Sequence, residues 1–192
     1  MGALIDLTKA VLCENGCADR HVVTGSRLEL PGYFRPAKQW ALIVIRDGRL
    51  IAAVEFKSQI GSLGNNVNNR AEEAIGNGVD LGRAYEHGLI HEGLPRPWIG
   101  YVFLLEDCDD ARSVVSVRTP HFSVSPDFTN ASYQRRYELL CERLVQDDIY
   151  QGACFLMSGR ETGPRGAYLE PNPALTFERF TSALCGHVQA HT

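Results

Sequence analysis

Apolar residues along this chain come in short blocks whose spacing changes from helix-like to strand-like and back. Leu4, Leu7 and Val11 recur at helical intervals up to Asn15-Gly16, which predicts a first helix over residues 4–14. Residues 24–38, "TGSRLELPGYFRPAK", hold two prolines and two glycines and read as a loop or irregular extended arm. Two apolar runs follow, Trp40 to Ile45 and Leu50 to Lys57, separated by Arg46-Asp47-Gly48-Arg49. An Asp-Gly pair between two such runs is a strong hairpin signal.

The stretch from Gly61 to Gly88 begins rich in Gly and Asn and becomes a helix, with Asn68 or Asn69 expected as its N-cap and Glu72 and Glu73 in its first turn. Ala71, Ala74, Ile75, Gly78, Leu81 and Tyr85 form a narrow apolar stripe. Gly76, Gly78 and Gly82 cost helix stability relative to alanine, so close packing on a neighbour is expected. "PWIGYVFLLED" is continuously apolar and reads as a central strand covered on both faces. A helix over residues 131–150, a strand at "ACFLM" and a final amphipathic helix from Pro173 to Val188 complete the pattern. Together these elements predict an α/β fold, a mixed central sheet flanked by helices on both faces, in a single domain spanning 1–192.

Composition narrows the function. Hydrophobic residues at 44% and charged residues at 22% are ordinary for a soluble globular protein. No apolar run approaches the roughly 18 residues of a membrane span. The N-terminus lacks the basic flank and cleavage site of a secretory signal, so a cytoplasmic protein with reduced cysteines is expected. Cys13 and Cys17 have no companions at zinc-site spacing, and His21, His87, His91, His121, His187 and His191 show no metal-specific pattern either. A net charge of −4 gives no global attraction to nucleic acid, although one basic cleft on an acidic protein would still serve. Sixteen arginines stand against three lysines, and one of those lysines is Lys57.

Lys57 closes the strand together with Glu55. Residues two apart on a strand share a face, so a carboxylate and an ammonium lie side by side where a buried strand should be apolar. Such a pair suits a carboxylate that binds a hard cation and a lysine that orients a water. Mg2+ in phosphodiester hydrolysis ordinarily wants a second acid, which should come from the preceding hairpin strand. With an odd-numbered turn Ala41 faces Ala53, diagonally beside Glu55; with a two-residue turn Trp40 falls opposite Glu55 instead.

The segment "LPGYFRPAKQWALIVIRDGRLIAAVEFKSQIGSLGNNVNNRAEEAIGNGVDL" strongly resembles the XhoI-like type II restriction endonucleases, as do "GYVFLLEDC", "PHFSVSPDF" and "ASYQRRYELLCERL". The resemblance covers roughly residues 4–160 and rests above all on Gly-Asn-Asn-x-Asn-Asn-Arg-x-Glu-Glu. It implies a restriction-endonuclease-like PD-(D/E)xK core. Glu55 would be the metal carboxylate, Lys57 the lysine that activates water or supports the leaving group, and Gln59 an accessory residue on the same face. The family's metal-binding Asp falls on position 41, where this chain has Ala41, so a catalytically impaired protein is expected. The intact flanks favour an engineered Asp→Ala change over natural decay. An N-terminal truncation or alternative start is also expected, since the chain begins almost inside its first helix.

The resemblance further implies duplex DNA as substrate, the palindrome 5′-CTCGAG-3′ as recognition sequence, Mg2+ as cofactor and a two-fold homodimer. Asn65, Asn66, Asn68, Asn69 and Arg70 follow the catalytic strand and are candidates for DNA contacts, as are Arg35 and Lys38 in the arm. The same asparagines would equally serve as helix caps and turn residues. The competing expectation is a DNA-binding or regulatory module that has kept the fold and lost catalysis.

Overall fold

The computed structural model describes residues 1–90 and 95–191. Its centre is a five-stranded sheet of β1 (Val22–Thr24), β4 (Leu42–Arg46), β5 (Arg49–Gln59), β6 (Trp98–Glu106) and β7 (Gly152–Ser158), side by side in that order. β1, β4 and β5 are antiparallel neighbours, while β5, β6 and β7 run parallel. The two parallel joints need crossovers, supplied by α2 (Leu63–Glu86) and α4 (Tyr133–Gln146). Both helices pack on one face of the sheet, where Ile43, Ala53, Ile99, Tyr101 and Phe103 meet Ala74, Leu81, Tyr137 and Leu144. α1 (Gly2–Glu14) and α5 (Phe177–Ala190) cover the other face, where Val44, Val54 and Val102 meet Leu12, Phe180 and Leu184. The mixed sheet between two helical layers agrees with the expected architecture. The described residues also include a short helix α3 (Asp109–Arg112).

Several local expectations need correction. The extended arm is ordered: β2 (Glu29–Pro31) pairs antiparallel with β3 (Ala37–Gln39) in a separate two-stranded sheet. β1, only three residues long, gave no periodic signal yet pairs with β4. α2 starts at Leu63, with Ser62 in left-handed conformation before it, so Asn68 and Asn69 lie inside the helix and cap nothing. Ile75, expected in the buried stripe, is exposed; Asn77 and Asp80 are buried instead. The last helix begins at Phe177, where the Thr176 hydroxyl accepts from the Arg179 N–H at 3.3 Å, and not at Pro173. His91 lies outside the described residues.

The β4–β5 hairpin follows neither register considered from sequence. Its turn is the two-residue one: Arg46 pairs with Arg49, and Asp47 and Gly48 take positive φ. A bulge then shifts the ladder by one residue between Val44 and Ile45, so that Leu42 pairs with Val54. Ile51 and Ala52, adjacent in sequence, consequently both join the cluster beneath α1 and α5. One extra residue on β5 therefore brings position 41, not Trp40, level with Glu55.

The glycines of α2 behave differently from one another. A Cβ at Gly78 would lie 2.6 Å from side-chain atoms of both Ile149 and Tyr150, so the helix rests directly on that segment. Nothing stands within 4 Å of a Cβ at Gly76. Gly78→Ala should therefore destabilise the fold by about 1–3 kcal/mol through overpacking. Gly76→Ala should stabilise it by about 0.5–1 kcal/mol through helix propensity. Urea unfolding of the two variants checks both signs.

Candidate active site

The site gathers where β5 leaves the covered part of the sheet. β5 is apolar through Val54, then carries Glu55, Lys57 and Gln59 on the face that looks toward α2. Glu55 is only 5% exposed, although a buried carboxylate is tolerated only with partners. Two lysines provide them. Lys38 at the middle of β3 forms a close ion pair with Glu55 Oε2, and Lys57 Nζ lies 3.3 Å from Oε1. Lys38 also donates to the Gln39 carbonyl at 2.8 Å and stacks over Trp40, 4.5 Å from its ring centre. Burial pulls the Lys38 ammonium below the ordinary lysine range, while Glu55 works in the opposite direction.

α2 supplies the outer wall. Glu73 lies 3.7 Å from Lys57 Nζ and pairs closely with Arg70, one helical turn earlier. Arg70 Nε reaches Gln59 Oε1 at 3.3 Å, and Gln59 donates in turn to the Gly61 carbonyl at 2.7 Å. Glu55, Lys57, Gln59 and Arg70 thus form one connected network, with Lys38 added from the arm. Beneath it, across the parallel β5–β6 ladder, Tyr101 pairs in register with Glu55. Its side chain is 1% exposed, and its hydroxyl has no hydrogen-bond partner among the described residues. Burial drives the Tyr101 phenol well above its usual pKa.

Lys38 reaches Glu55 because the arm is clasped to α2. Asp80, buried to 3% exposure, accepts from the Tyr33 N–H at 2.8 Å, the Phe34 N–H at 2.7 Å and Arg35 Nε at 2.7 Å. Arg35 also donates to Asn77 Oδ1 at 2.7 Å. Gly32 is required here, since a Cβ would collide with the Asp80 carboxylate and the Arg35 carbonyl. Arg35, a candidate for DNA contact, takes part in this clasp and keeps part of its side chain exposed. Lys38, the other arm candidate, joins the ion-pair network at Glu55.

The asparagines scatter around the start of α2. Asn65, Asn68 and Asn69 are exposed, whereas Asn66 is half-buried and donates to the Ser62 carbonyl at 2.9 Å. Asn68 lines a cavity of about 580 Å³ between α2, α4 and residues 116–128, as do Arg118, Arg136 and Arg143. Sequence reasoning missed Tyr101 and the Asn77–Asp80 clasp. Tyr101 sat in an apolar run that gave no reason to single out one side chain. Asp80 and Asn77 were legible only as polar residues interrupting the buried stripe of α2.

Ala41 occupies a bend just before β4. Its N–H donates to the Val54 carbonyl at 3.3 Å, placing the residue at the end of the ladder beside Glu55, while its methyl packs against the cluster under α1 and α5. A divalent cation such as Mg2+ requires several oxygen ligands. Ala41 offers none, and each Glu55 oxygen faces an ammonium. Among the described residues no group of three or more His, Cys, Asp or Glu side chains is arranged to hold a metal ion. The residues present do not fit Mg2+.

The family model described as Restriction endonuclease XhoI matches residues 1–170. The chain is 40% identical over 194 aligned residues to the type II restriction enzyme BstVI of Geobacillus stearothermophilus, covering 98% of this chain and 86% of that protein. It is 45% identical over 148 residues to the type II restriction enzyme XhoI of Xanthomonas vasicola, covering 76% of this chain and 59% of the relative. The type II restriction enzyme AbrI of Azospirillum brasilense is 52% identical over 99 residues, 51% of this chain and 44% of AbrI. No solved structure matches the chain.

Removing the clasp tests how the arm is held. Asp80→Ala leaves two backbone N–H groups and Arg35 without their acceptor and should lower stability by about 2–4 kcal/mol. Amide hydrogen exchange should rise first at Tyr33 and Phe34 and then along β3.

Proposed function

The chain belongs to the XhoI restriction endonuclease family, and we propose that it is the scaffold of a site-specific deoxyribonuclease whose cutting is impaired by Ala41. The substrate is duplex DNA, recognised as the palindrome CTCGAG by a two-fold homodimer working in the cytoplasm. The observation that carries this reading is the buried Glu55 at the exposed end of β5, with Lys57 beside it and position 41 level with it across the hairpin. The Ala41 methyl packs under α1 and α5 while Glu55 looks toward α2, so a carboxylate at 41 would supply the missing oxygen ligand by turning across the end of the ladder toward Glu55. Glu55 and that carboxylate would then hold Mg2+, which would neutralise the charge that develops on the phosphate. In the present chain the donor set does not fit the ion, and no step is assigned to it.

Lys57 is the residue best suited to the attacking water or the departing oxygen. Its ammonium lies against Glu55, reaches Glu73 and remains partly open to solvent. Arg70, held by Gln59 and Glu73 next to Lys57, suits a phosphate contact close to the scissile bond. Asn65, Asn68 and Asn69 remain candidates for base or backbone contacts because their amides face solvent. A second reading, a non-catalytic DNA-binding module, is favoured by one feature: both Glu55 oxygens are engaged by lysines.

Cleavage of a plasmid with one CTCGAG site, with Mg2+ present, separates the two readings. Ala41→Asp should cut at that site, whereas the chain as written should cut little or not at all. Absence of cutting by folded Ala41→Asp protein would favour the binding module. Adding Lys57→Ala to the restored protein should abolish cutting and leave binding in place; surviving activity would remove Lys57 from the mechanism. Arg70→Ala should weaken binding to cognate and random duplexes alike and flatten the salt slope by about one. A loss confined to the cognate duplex would make Arg70 a base reader instead.

A further inference from the structure

The site is rich in donors and poor in acceptors. Lys38, Lys57 and Arg70 carry three positive charges, and Glu55 and Glu73 carry two negative ones, which leaves one net positive charge in the network. Each ammonium has three N–H donors. Lys38 uses its own on Glu55, the Gln39 carbonyl and the face of Trp40, while among the described residues Lys57 has only Glu55 and the half-exposed Glu73. Under them the buried Tyr101 hydroxyl has no acceptor among the described residues. Spare ammonium N–H donors suit an oxyanion rather than a cation.

We propose that Lys38 stands in place of a divalent cation beside Glu55, and that Lys38 and Lys57 together bind a backbone phosphate of duplex DNA directly, without metal. The inference deepens the DNA-binding reading above and rests on it. Geometry makes the substitution specific. Lys38 is carried by β3, on an arm clasped to α2 by Asp80, and its ammonium lies over the Trp40 ring, 4.5 Å from the ring centre. Its ammonium is therefore held at Glu55 rather than wandering in solvent. A hard cation would have to displace it to reach the Glu55 oxygen, and with Ala41 present it would gain no second carboxylate in return. A phosphate needs no such displacement. It adds an acceptor to the Lys57 ammonium, which has an N–H donor to spare, beside the charge of Lys38 and in a site whose net charge favours it.

The test is fluorescence anisotropy of a labelled duplex carrying CTCGAG and of a scrambled duplex, each in EDTA and in Ca2+, which supports binding without supplying Mg2+ chemistry. The chain as written should bind in EDTA, with affinity changing by less than about twofold when Ca2+ is added, a difference well under 1 kcal/mol. Lys38→Gln should weaken binding in EDTA by about tenfold on both duplexes and flatten the salt slope by about one, while Lys38→Arg should restore most of the loss. Isothermal titration with Mn2+ should detect no site in the chain as written and one in Ala41→Asp.

Tightening of the unaltered chain by about tenfold or more on adding Ca2+ would overturn the inference. So would an unchanged affinity and salt slope in folded Lys38→Gln. If Ala41→Asp binds DNA with Ca2+ while the unaltered chain does not bind in EDTA, the Lys38 inference fails and the DNA-binding reading stands. If folded protein of neither kind binds any duplex in either buffer, both fail.

Discussion

One buried carboxylate organises the functional end of this molecule. Glu55 sits where β5 passes from the apolar core to the surface, and a charge at 5% exposure persists only if opposite charges reach it. Of the chain's three lysines, two do so, Lys38 from the arm and Lys57 from the same strand. A buried ion pair of this kind adds little net stability over an apolar replacement, whereas removal of one partner is costly. Its presence is therefore better explained by chemistry than by folding.

The surrounding structure serves that cluster at two levels. The sheet fixes Glu55 between its neighbours: the bulge in the β4–β5 hairpin brings position 41 level with it, and parallel pairing puts Tyr101 in register with it. α2 then does two separate tasks with two parts of its length. Its first turns carry Arg70 and Glu73 into the network, and its later turns carry Asn77 and Asp80, which hold the arm and so position Lys38. α2 runs 24 residues, and at Gly78 it rests directly on Ile149 and Tyr150.

Ala41 changes the balance of this arrangement more than its size suggests. On the reading proposed above, a carboxylate there that turned toward Glu55 would set three acids against three cations and offer a hard metal oxygens from adjacent strands. With a methyl there, the cluster is net positive and the arm lysine stands on Glu55. On the proposed reading one side chain would tune the same scaffold toward cations or toward anions, because in a poorly hydrated site a single charge outweighs many weak contacts.

By itself the sequence determined the layered α/β fold, the hairpin and the adjacency of Glu55 and Lys57, since each depends on short-range periodicity or on adjacency along one strand, whereas the expectation of a missing acid at position 41 came from the family resemblance. The family resemblance was legible for the same reason, in contiguous motifs now matched over residues 1–170. Tertiary structure alone decided the hairpin register, because an extra residue in a bulge leaves no mark in the alternation until the partner strand is known. It alone also brought Lys38 to Glu55, seventeen residues away, through a clasp at Asp80 that is forty-five residues from Arg35. Contacts at such separations depend on how elements pack against one another, which local pattern does not encode.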